Sequence, residues 1–182
     1  MRGSKRFCQA LLLVCFLVPA LGQTTWPVGT LAAPIPIDVH LAQGSPTQVA
    51  LLHEVLWAFD LVLYNRGLGF RLVGSDDPEV EVVFSPEPPK WVPATTTDFG
   101  YTEIRYKPRS GRIVSGRVWI NASHPLAAQR ETLYHEFLHV LGWLEHAPES
   151  SGSARRVSMG RNSLASYDLA LFDLKYPVRG GY

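Results

Sequence analysis

Apolar Ile35, Ile37, Val39 and Leu41 alternate with Pro36, Asp38 and His40, the period-two pattern of a half-buried strand. The period then lengthens. Ser45-Pro46-Thr47-Gln48 joins a capping serine, a proline at the first helical position and a glutamine that closes a capping box. Val49, Leu52, Leu56, Phe59 and Leu63 follow at helical spacing, and the glycines within 65–69 end the helix. Segments 70–73 and 80–84 read as short strands about a turn at 74–78, and 86–93 is a proline-rich loop. Alternation returns over 101–106, 107–116 reads as a polar turn, and 117–120 is a further strand. A second long helix is expected from near Ser123 or Pro125 to Leu141, and a last one over 166–175, stopped by Pro177. Strand, helix, three or four strands, helix, loop and helix make an α+β domain, a mixed sheet of about five strands packed on helices.

One stretch of the second helix carries chemistry. His135 and His139 fall one turn apart on a single helix face. Two imidazole nitrogens held in this way are half of a tetrahedral zinc site. Glu136, next to the first histidine, can reach a water on the metal without ligating the metal itself. Gly142 ends the helix, so that the returning chain offers Glu145 or His146 as a third ligand. Leu138, Val140 and Leu141 suit a buried helix better than a solvated one with two surface histidines. The pattern is that of a hydrolase with one catalytic zinc. His40, on the polar side of a strand, and His53, on the first helix, read as surface or structural residues. Asp76 and Asp77 ahead of Pro78 read as a turn, so calcium is not indicated.

The N-terminus bears on where this chemistry operates. Arg2, Lys5 and Arg6 precede an apolar run over 7–18, with small residues to Gly22, which reads as a signal peptide over 1–22. That run is short for a membrane span, so the mature form is expected to be secreted and free of the membrane. Both cysteines, Cys8 and Cys15, fall inside the removed segment, which excludes disulfides and thiolate ligation in the mature chain. Removing Arg2, Lys5 and Arg6 from the 17 basic residues leaves 14 against 16 acidic ones, a formal −2. Nothing in that balance points to nucleic acid. Residues 23–34 read as an extended arm, and 35–182 as one domain with room for a core.

With its context, the motif resembles that of the metzincin clan of zinc peptidases, and within it the matrixin-like catalytic domain. The clan's H-E-x-x-H-x-x-G matches at His135, Glu136, His139 and Gly142. Met159 is placed like the methionine that underlies the metal in that clan, and Leu164 to Tyr176 is similar to the matrixin C-terminal helix. The resemblance implies a zincin-like fold, one zinc, Glu136 as general base, and an extended peptide substrate on the sheet edge near 100–106. Side-chain selection would fall between the zinc helix and residues 160–166.

The chain also departs from the family. The family's third ligand belongs at position eleven of the motif, which is Glu145 here, with His146 next. His146 is preferred as a ligand displaced by one added residue, and Glu145 is its rival. The histidine- and aspartate-rich stretch of vertebrate matrixins has no counterpart, since 88–116 holds no histidine and only Asp98. That implies a minimal, microbial version with no second zinc. A secreted, monomeric zinc endopeptidase is therefore expected. A catalytically silent zinc-binding module and a zinc hydrolase of non-protein amides share the same motif.

Overall fold

The computed structural model describes residues 24–74, 77–95, 99–143 and 175–178. The signal segment, Glu145, His146, Met159, residues 160–166 and all but the end of the expected last helix lie outside the described residues. Among the described residues no helix is long and apolar enough to cross a membrane.

The chain runs β1 (Ile35–Gln43), α1 (Pro46–Leu63), a 3-10 turn (Tyr64–Arg66), β2 (Leu68–Leu72), β3 (Val80–Ser85), β4 (Gly100–Tyr106), β5 (Ile113–Asn121) and α2 (Leu126–Val140). The strands form one sheet in the order β2-β1-β3-β5-β4. Four are parallel, and β4 alone is antiparallel, hydrogen-bonded to β5 as an edge strand. The expected mixed sheet packed on helices is present.

Alternation decides which side chains meet the helices. Ile37, Val39, Val80, Val82, Phe84, Val118 and Ile120 share one core with Leu52, Val55 and Phe59 of α1 and Leu133, Phe137 and Val140 of α2. The Phe59 ring lies 6.1 Å from Phe70, 5.8 Å from Tyr134 and 6.0 Å from Phe137, measured between centroids. On the other face Val83 and Trp119 pack with Val92 under the proline-rich loop. α1 starts as the sequence indicates: Ser45 Oγ accepts from the Gln48 amide at 3.3 Å, and Gln48 Oε1 accepts from the Ser45 amide at 2.8 Å. Its apolar stripe is buried, whereas Trp57, on the opposite face, is 65% exposed. His53 is exposed, as expected of a surface residue.

Two expectations need correction. β2 begins at Leu68 rather than 70, because Leu68 already pairs with Ile35 and is buried. β5 begins at Ile113, inside the segment read as a polar turn. Ser115 and Gly116 interrupt the apolar pattern there, yet Ile113 is 1% exposed and pairs with Tyr106. Residues 24–34, in the segment read as an extended arm, are held against the domain. Thr25 forms a parallel bridge to Arg112, and Trp26 is only 4% exposed. The large apolar area of the indole favours that burial.

Candidate active site

α2 starts at Leu126, with Pro125 in the cap position, and its open face carries the histidines. Leu133, Glu136, Phe137 and Val140 are buried, whereas His135 and His139 are half-buried one turn apart. Their rings meet edge to face with centroids 4.7 Å apart, and the two Nε2 atoms are 3.0 Å apart. His139 Nδ1 lies against the carbonyl oxygen of Trp143. A carbonyl can only accept, so Nδ1 carries the proton and Nε2 presents a lone pair. That lone pair faces His135 Nε2, which can donate an N–H to it or, deprotonated, join it on a metal ion.

Zinc suits this pair. Tetrahedral Zn–N bonds of about 2.05 Å would set two ligand nitrogens about 3.3 Å apart, close to the spacing found. An imidazole whose second nitrogen donates to a carbonyl is also how ligating histidines are oriented in general. No group of three His, Cys, Asp or Glu side chains suited to a metal is assembled among the described residues. Both candidate third ligands, Glu145 and His146, lie outside them.

Glu136 lies between α2 and β4, where it meets Thr102. It is 5% exposed, and Oε2 accepts from the Thr102 hydroxyl at 2.6 Å. The same hydroxyl lies 3.2 Å from the Glu136 main-chain oxygen. Burial raises the carboxyl pKa from 4.5 to about 7, with the Thr102 hydrogen bond acting against that rise. Gly100 makes the close approach of β4 feasible. A Cβ there would lie 2.6 Å from Thr132 Cγ2, 2.9 Å from the Trp119 carbonyl and 3.3 Å from Glu136 Oε1. Sequence reasoning did not find Thr102 or Gly100, since neither belongs to a local motif. Pairing of Thr102 with Val118 in the sheet is what brings its hydroxyl to α2.

The helix ends where the motif predicts. Gly142 takes φ 91°, a left-handed conformation that favours glycine, and a Cβ there would run into the Thr24 carbonyl. The amides of Leu141, Gly142 and Trp143 donate back to Phe137, His139 and Leu138 at 3.1, 2.8 and 3.1 Å. The next carbonyls are met from far along the chain. Trp26 Nε1 donates to Val140 O at 2.8 Å, the Tyr176 hydroxyl to Leu141 O at 2.8 Å, and Lys175 Nζ to Gly142 O. Tyr176 also accepts from the Trp26 amide at 3.1 Å, and Lys175 Nζ sits 5.1 Å from the centre of the Trp143 ring. Burial lowers the Lys175 pKa to about 8 and raises that of Tyr176.

No protein-family model matches the chain, and no curated protein does. The chain is similar to two solved structures of myroilysin. One has a TM-score of 0.49 and 16% identity, covering 86% of this chain and 83% of that one. The other has a TM-score of 0.42 and 19% identity, covering 88% of this chain and 68% of that one. Overlap at this level adds nothing to the site geometry, and the functional reading rests on the residues themselves.

Proposed function

We propose that the chain is a secreted zinc-dependent endopeptidase in which His135 and His139 hold the metal and Glu136 is the general base. The observation that carries the reading is the convergence of the two Nε2 atoms at 3.0 Å, with His139 Nδ1 engaged by a carbonyl. When bound, zinc would supply Lewis acidity to water and to the attacked carbonyl. Thr102 occupies Glu136 Oε2, which leaves Oε1 to take the proton from the attacking water and return it to the departing amine. Among the described residues β4 pairs on one side only, and so offers main-chain donors and acceptors to an extended peptide. Such a peptide would run past the same strand that holds the base. His146 is the proposed third ligand, with Glu145 as its rival, and Met159 would lie beneath the pair as an apolar floor. The mature chain acts as a monomer, with neither nucleic acid nor membrane as a partner.

The test is to purify the mature chain, measure bound zinc, and follow cleavage of a denatured protein beside Glu136→Gln. About one zinc per chain is expected in both, with activity lowered by on the order of 100-fold or more in the variant. Activity that survives in Glu136→Gln removes the assigned base. Zinc without cleavage of any peptide favours a binding module, and cleavage of a non-protein amide alone favours the other hydrolase. Of His146→Ala and Glu145→Ala, the variant that loses more zinc affinity identifies the third ligand.

A further inference from the structure

Trp26 stands outside the chemistry just described, yet it reaches the segment on which that chemistry depends. Its indole N–H donates to Val140 O, the carbonyl of the residue after His139. Its main-chain N–H donates to Tyr176, whose hydroxyl passes the link on to Leu141 O. The preceding Thr24 carbonyl fills the space where Gly142 lacks a Cβ. These contacts fix the turn that carries the Trp143 carbonyl, and that carbonyl receives His139 Nδ1. A continuous path thus runs from Trp26 through the helix exit to the orientation of one imidazole.

We propose that Trp26 is a positioning residue for the metal pair: by capping the exit of α2 together with Tyr176, it sets the turn at Gly142 and so the orientation of His139. The proposal rests on the zinc reading above. Loose carbonyls at a helix end would let the last turn fray, and His139 lies in that turn. Groups that orient a ligating histidine through its second nitrogen act chiefly on metal affinity. The expected signature is therefore weaker zinc retention in a chain that still folds.

The experiment uses the full chain and Trp26→Phe, which keeps an aromatic ring and removes the indole N–H. Zinc affinity is read by competition with a chromophoric chelator. Amide hydrogen exchange at Leu141, Gly142 and Trp143 is read in the metal-free protein. We expect zinc binding about tenfold weaker and faster exchange at those three amides. Trp57→Phe, a change at an exposed indole on α1, should leave both unchanged. If Trp26→Phe does not fold, Tyr176→Phe removes the bridging hydroxyl with little change in shape and should give the same two effects. Faster exchange with zinc affinity equal to the parent overturns the proposal and leaves the zinc reading standing. A parent that binds no zinc overturns both.

Discussion

The start of one long helix and the end of the other are capped in opposite ways. α1 is capped from within: Ser45 and Gln48, three residues apart, satisfy each other's amides. α2 leaves through a junction whose parts are distant in sequence, with Trp26 114 residues from Val140 and 150 from Tyr176. A cap made of neighbours needs nothing from the rest of the fold. The exit of α2 requires the whole domain to be assembled. The helix that bears the candidate chemistry is therefore the one whose end depends on tertiary structure.

Substitutions can break this contrast in a graded order. Trp26→Ala should cost the most, about 3–5 kcal/mol, because it empties a buried site and uncaps Val140. Chemical denaturation measures it, and a loss below about 1 kcal/mol would show that the junction contributes little. Next comes the carboxyl within α2. Glu136 binds its proton more tightly in the folded chain than in the unfolded one, so unfolding between pH 4.5 and about 7 releases a proton. The metal-free protein should therefore lose stability as pH rises through that window, by on the order of 3 kcal/mol, and level off above it. Thermal melts of chelator-treated protein at a series of pH values should show this slope, and Glu136→Gln should abolish it.

Gly142→Ala should cost roughly 2–3 kcal/mol, from a left-handed backbone and the collision with Thr24. A shift in denaturant midpoint without a change in slope would report it. Ser45→Ala should be mildest, about 1 kcal/mol, as befits a local cap. If Ser45→Ala proved as costly as Trp26→Ala, the distinction between the two helix ends would collapse.

The same contrast explains what could be read from the sequence. The cap of α1, its apolar stripe and the break at Gly142 are encoded by neighbours, and the structure has them where the pattern predicts. His135 and His139 share a face because helical spacing alone puts them there. Thr102, Gly100 and Trp26 were not legible as site residues, since each meets α2 only through the sheet or the chain end. β5 was read short because Ser115 and Gly116 hide a strand whose pairing with β4 defines it. A lone tryptophan in the stretch read as an extended arm was the one available hint, because large aromatic side chains are usually buried.

The junction at the end of α2 also bears on the order of folding. β1, α1 and β2 can associate through contacts close in sequence, and β4 pairs with its immediate successor β5. Trp26 must wait for Tyr176 to emerge, a loop closure nearly as long as the chain, and contacts of such high order form slowly. A nascent chain can therefore hold its sheet while the carbonyls of Val140 and Leu141 still lack their donors. The helix exit beside His139 would be completed late, so the candidate site would take shape after the secondary structure.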